Sequence, residues 1–168
     1  PRRMARHTQF AYAATLMALQ DAGLDFKDLG AEGPIPVVIG VSTSALDIIE
    51  NVFRDSDARG LGGVAPTSLA ASKPQAAANI IADRIGACAN ATTVSSACPS
   101  GLDAVASAAA MIRAGEAELA IAGGADAPIT QHGLASFIAS GLCTTRNDKP
   151  RRASRPFDLM RDSGVMSE

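Results

Sequence analysis

The chain has 168 residues, enough for one domain with a substantial buried core, and its hydrophobic fraction of 47% marks it as globular. A formal net charge of −2 gives no global attraction to nucleic acid or an anionic membrane, and no apolar run nears the ~20 residues that span a bilayer. Aromatics are scarce (five Phe, one Tyr, no Trp), so alanine and glycine must fill the interior and draw backbones close together.

In chain order, residues 4–23 predict a helix with apolar positions at Phe10, Ala13, Ala14, Met17 and Leu19, stopped by Gly23. The run 35–44, "IPVVIGVSTS", is apolar and β-branched, which predicts a buried strand. A short helix over 46–55 and a Gly/Pro-rich loop over 57–68 follow. Residues 73–87 predict a helix with Pro74 near its first turn and Gly86 near its end. "ATTVSSA" (91–97) reads as a strand, and 100–114 as an Ala-rich helix capped by Gly115. "AELAIAGGADA" (117–127) reads as a further strand, and 131–141 as a helix. The remainder is polar and broken by proline, and no internal repeat is evident. Helices alternating with strands predict an α/β fold with a partly parallel sheet.

The start of the chain, "PRRMARHTQF", carries charge without an apolar core, so no signal peptide is expected there. Cys88, Cys98 and Cys143 are odd in number and irregular in spacing, a poor disulfide framework. They suit a reducing, cytoplasmic setting. No C-x-x-C pair occurs, and His7 and His132 are far apart in sequence, so no metal site is expected.

Cys98 stands between a strand and a helix, in "VSSACPSGLDAVASAAAMIRAG". A sharp turn there presents the residue at a helix N-terminus, where free N–H groups and the helix dipole favour a thiolate. The same N–H groups suit the oxyanion formed when a thiolate attacks a carbonyl. Pro99 costs nothing in a first helical turn, and the small residues predict a slender helix buried on several sides. A cysteine among alanines is ordinarily inert, and only this setting argues for a nucleophile. Cys88 and Cys143 lack it and read as structural.

"SSACPSGLDAVASAAAMIRAGEAELAIAGGADAPIT" resembles the nucleophile region of the β-ketoacyl-acyl-carrier-protein synthases, condensing enzymes of the thiolase-like superfamily. "RRMARHTQFAYAATLMALQDAGL" is similar to an early helix of that family. "TTRNDKPRRASRPFDLMRDSGVMSE" is similar to the stretch after its Gly-Gly strand, and "SRPFD…RD" separates ketosynthases from thiolases. The resemblance implies a layered α-β-α-β-α fold of two similar halves, with residues 1–168 covering most of the first half and the second half absent. It implies Cys98 as the acyl-accepting nucleophile of a decarboxylative Claisen condensation in fatty acid or polyketide synthesis. Acyl- and malonyl-carrier proteins would be the partners, a homodimer the assembly, and no further cofactor is needed.

The family's two catalytic histidines belong to its second half. His7 and His132 sit in no family histidine motif and read as ordinary polar residues. "RDSG" at 161–164 departs from the expected Gly-Phe. Arg2 and Arg3 fall where some members carry cations that meet the carrier protein; a solvated helix end is the plainer reading. Gly123 and Gly124 would allow close approach to the nucleophile's helix, or form a simple turn. Thr67 and Ser68 are small where members carry bulky pocket or interface residues, which would widen an acyl channel. The basic run Arg146, Lys149, Arg151, Arg152, Arg155 reads as a solvated loop, with Arg155 and Asp158 ion-paired. The alternatives are a coenzyme A thiolase and a catalytically silent ketosynthase-like fragment or subunit.

Overall fold

The computed structural model describes residues 4–29, 35–85 and 90–168. Three strands, β1 (Val37–Gly40), β2 (Ala91–Val94) and β3 (Ile121–Gly124), form a wholly parallel sheet in the order β2-β1-β3. Each strand is four residues long, shorter than the stretch that predicts it.

The central strand is buried on both faces, as parallel strands require. Val37, Ile39 and Val41 face one side and pack with Ala11 and Leu19 of α1 (Arg6–Asp21), Leu29 of α2 (Phe26–Leu29) and Ala77, Ile81 and Ile85 of α5 (Ala76–Ile85). Val38 faces the other side and meets Ala104 and Ala108 of α6 (Ser100–Arg113). The strand's period of two therefore divides its side chains between two helical layers.

Helix α1 departs from expectation in its buried face, which is His7, Thr8, Ala11, Thr15 and Leu19. Phe10 and Met17 are exposed. Small side chains win the inner positions because α1 lies close against the alanine face of α5, and the Thr15 hydroxyl satisfies itself on the Ala11 carbonyl, 2.8 Å away. The helix after β1, α3 (Leu46–Arg59), runs past its expected end to Gly60, whose φ of 68° ends it. The expected loop over 57–68 instead holds a 3₁₀ turn at Leu61–Gly63 and leads into α4 (Ser68–Ala71). Helix α5 begins at Ala76, two residues after Pro74; Gly86 and Cys88 lie outside the described residues.

Helix α6 ends as expected on Gly115 (φ 75°), with Gly115 N–H on Ile112 C=O and Glu116 N–H on Met111 C=O. Its surroundings differ from expectation. Only Ser100, Ala104 and Ala108 are buried, whereas Leu102 and Val105 are exposed. Among the described residues one face of the helix is covered, by the sheet. Helix α7 (Gln131–Ala139) opens on Thr130, whose hydroxyl accepts the Gly133 N–H at 3.0 Å. No described helix is long and apolar enough to cross a membrane.

Candidate active site

Because the strands are parallel, their C-terminal ends lie along one edge, and the turns leaving them are neighbours. The Val41 N–H bonds the Val94 carbonyl at 2.9 Å and the Ala125 N–H bonds the Gly40 carbonyl at 3.0 Å, so all three chains leave the sheet in step.

The turn after β2 carries Cys98. It bends at Ala97, where φ is 65°, a left-handed conformation unusual for a residue with a Cβ. Ser100 holds the turn closed: its N–H and its hydroxyl both bond the Ala97 carbonyl, and its Oγ accepts the Ser96 N–H at 2.9 Å. The Ser96 hydroxyl donates to the Asp103 carboxylate. Pro99 is the cap rather than the first helical residue, and its carbonyl takes the first helical bond, from Asp103 N–H at 2.9 Å. The Cys98 thiol is free and exposed. Cys143 is also free and partly buried.

The first turn of α6 sits directly on the sheet because three residues lack side chains. A Cβ on Gly40 would stand 2.2 Å from the Ser100 carbonyl oxygen, and one on Gly101 would stand 3.2 Å from Gly124 Cα. Such contacts are impossible for larger residues without backbone movement. Gly123, one residue earlier, has open space above it.

The turn after β1 is fixed by Asp126, two residues beyond β3. Its carboxylate accepts the Ser42 N–H (2.8 Å), the Thr43 N–H (2.6 Å) and the Thr43 hydroxyl (2.7 Å). Charge-assisted bonds of this kind are the stronger class. Ser44 follows in the left-handed region at φ 60°, with its hydroxyl on the Ser72 carbonyl at 3.0 Å. Two non-glycine residues with positive φ, Ser44 and Ala97, thus occupy adjacent turns, and such strain gathers at functional sites.

His7 is not the ordinary polar residue that the sequence suggested. It is wholly buried, with Nε2 3.3 Å from the Thr8 hydroxyl and Nδ1 without a partner among the described residues. Burial pushes its pKa below the ordinary value, against the pull of the Asp47 and Asp126 carboxylates. His132 contributes its backbone N–H to Glu50 at 2.6 Å. The Thr130 hydroxyl, and after it that N–H, hold the Glu50 carboxyl below its usual range.

The remaining sequence-predicted residues are dispersed. Thr67 lines a cavity of about 310 Å³ beside Thr8 and Asn79, and Ser68 lines one of about 720 Å³ between α3 and α4, walled by Val52, Phe53 and Leu69. Neither lining includes Cys98 or the glycine pair. Arg2 and Arg3 lie outside the described residues. Arg155 and Asp158 form no ion pair: Arg155 donates to the Met160 carbonyl and Asp158 accepts the Met160 N–H at 2.7 Å, so each holds the backbone instead. Sequence reasoning missed Asp126, Ser100, Gly40 and Gly101. A carboxylate just past a Gly-Gly strand and a serine two residues after the cysteine were the available signals.

The chain is 39% identical over 175 residues to the granaticin polyketide putative β-ketoacyl synthase 1 of Streptomyces violaceoruber, spanning 99% of this chain and 41% of that protein. It is 34% identical to the 3-oxoacyl-[acyl-carrier-protein] synthase 2 of Vibrio cholerae, spanning 99% and 40%. It therefore covers about two fifths of these relatives' length. Among solved structures, a β-ketoacyl synthase from Burkholderia phymatum superposes with a TM-score of 0.84 at 30% identity, over 98% of this chain and 40% of that one. A type II polyketide synthase acyl-carrier protein in complex with its ketosynthase bound to the hexaketide gives 0.88 at 27%, over 97% and 41%. These neighbours share the thiolase-like α/β fold that the sequence led us to expect. The model of the β-ketoacyl synthase N-terminal domain matches residues 1–168, and the chain belongs to that family.

Proposed function

We propose that this chain is the nucleophile-bearing N-terminal part of a longer condensing enzyme. Cys98 takes an acyl group from an acyl-carrier protein, and the acyl group is then condensed with malonyl-carrier protein. The observation that carries this reading is the position of Cys98: an exposed thiol on a strained turn, at the head of a helix seated on the sheet, in a chain matched throughout by the ketosynthase family.

In the first half-reaction the Cys98 thiol gives up its proton, its thiolate attacks the thioester carbonyl, and the carrier leaves as a thiolate that takes up that proton. The backbone N–H of Cys98, on the turn that leads into α6, stabilises the oxyanion. In the second, the malonyl group loses CO₂, and its carbanion attacks the acyl carbonyl and expels Cys98 as thiolate. The donors that stabilise the enolate come from the part of the protein beyond this chain, since His7 is wholly buried and closed to a substrate. The names of the relatives, synthases of acyl-carrier-protein substrates and of polyketides, support the carrier-linked substrate and both biosynthetic settings. The two open strand edges and the uncovered side of α6 support both a second half and a homodimer. The free thiols of Cys98 and Cys143 support a reducing, cytoplasmic setting. Arg2 and Arg3 are offered as carrier-protein contacts on the sequence pattern alone, and Gly123, Gly124, Thr67 and Ser68 as supporting or pocket residues.

The test uses the full-length protein with acyl- and malonyl-carrier proteins, and the matching coenzyme A thioesters in parallel. Acylation mapped by mass spectrometry and CO₂ release are followed separately. Acylation at Cys98 from the carrier, lost in Cys98→Ala, is expected. Acylation surviving that substitution sinks the assignment, and a coenzyme A preference with no decarboxylation moves the protein to the thiolases. Residues 1–168 alone should release no CO₂; release by that piece would place the decarboxylation donors within it.

A further inference from the structure

The basic run near the end of the chain is largely exposed, as a solvated loop is, with Arg146 and Arg155 half-buried. It curls around a concavity of about 230 Å³ lined by Arg146, Lys149, Arg152 and Arg155, with Asp148 as the one carboxylate in the wall. Like charges gathered around a small space repel unless something answers them. Part of the answer is internal: Arg146 pairs with Asp162, Nε to carboxylate at 3.0 Å, and also donates to the Met160 carbonyl. Asp162 is held below its usual pKa range, with the Arg146 and Thr144 hydrogen bonds outweighing desolvation.

The other three cations are not answered. Lys149 and Arg152 enter none of the ion pairs among the described residues. Arg155 spends Nη2 on the Met160 carbonyl, which pins its guanidinium in place, while its Nε is buried with no partner among the described residues. The guanidinium edge that is not on Met160 is left to face the concavity's other cations. A fixed guanidinium edge, a second guanidinium and an ammonium converging on a small space suit a group with several oxygens and more than one negative charge.

We infer that this concavity is a binding site for a phosphate group, held by Lys149, Arg152 and Arg155. None of its lining residues belongs to the turn that carries Cys98. The phosphate is either inorganic phosphate or the monoester of a small phosphorylated molecule.

The experiment titrates the full-length protein with inorganic phosphate and, separately, with glycerol phosphate, by calorimetry at constant ionic strength set with chloride. Saturable binding of either probe is expected, and the tighter one identifies the source. Lys149→Ala with Arg152→Ala should weaken it about tenfold or more. Arg155→Lys keeps the charge but removes the planar guanidinium and should weaken it too. Arg113→Ala, an exposed cation at the far end of α6, should bind as the unaltered protein does. No saturable heat with either phosphate, the same heat from chloride, or unchanged binding in the Lys149/Arg152 variant overturns the inference.

Discussion

Gly101 of α6 and Gly124 of β3 meet backbone to backbone: a Cβ added to Gly124 would stand 2.7 Å from Gly101 Cα. Neither partner has a side chain that can swing away, so the clash falls on the main chain. Gly124→Ala is expected to destabilise by about 1–3 kcal/mol, the usual cost of overpacking. Gly123→Ala, with nothing within 4 Å, is the control and should change stability by less than about 0.5 kcal/mol. Urea unfolding of the two variants decides; equal effects would mean that α6 does not rest on the sheet at this point.

Cys98 is exposed, and Cys143 is partly buried beside the bridge it makes with Gly164. Brief iodoacetamide treatment of the folded protein should label Cys98 first, since its thiol is exposed and that of Cys143 is partly buried. Mass-spectrometric mapping checks it. Preferential labelling of Cys143 would count against Cys98 as the nucleophile.

Asp126 ties the turn after β1 to the end of β3 with three bonds to one carboxylate. Asp126→Ala leaves the Ser42 and Thr43 donors without their acceptor, and should cost about 1.5–3 kcal/mol or more. Cys98 acylation should slow as well, because the neighbouring turn loosens. A variant with unchanged unfolding midpoint and unchanged acylation would show that the turn is held by something else.

His7 makes stability fall on mild acidification. Its folded pKa is below the ordinary 6.5, so just below that pH the unfolded chain binds a proton that the native state refuses. The stabilisation is complete above 6.5 and is lost as pH drops toward the folded value. Glu50 and Asp162 also lie below their ordinary 4.5 and 3.8, so their losses come in a more acidic range. Melting temperatures compared between about pH 7.5 and about pH 5.5 should fall for the unaltered protein and fall less for His7→Gln. Equal slopes for the two proteins would remove His7 from the account.

The sheet and the turn at Cys98 were legible because they are written in local chemistry. β-branched runs, a Cys-Pro-Ser-Gly junction and Gly115 each carry a short-range signal. Two things were not. The buried face of α1 is chosen by how close α5 lies, so Thr8 and Thr15 displaced Phe10 and Met17. The grip of Asp126 on Ser42 and Thr43 joins residues more than 80 positions apart, which no local pattern records. The exposure of Leu102 and Val105 likewise depends on what faces α6, not on the alanines within it.

The bonds that close the nucleophile's turn run between Ser96, Ala97, Ser100 and Asp103, around the cysteine and not through its thiol. Architecture and reactivity are therefore separable at this position. The scaffold can outlive the chemistry: on the proposed function, exchanging residue 98 alone silences acyl transfer and leaves a properly shaped surface for whatever binds there. A lineage that duplicates such a gene has, one codon away, a folded copy freed from catalysis and available for another task.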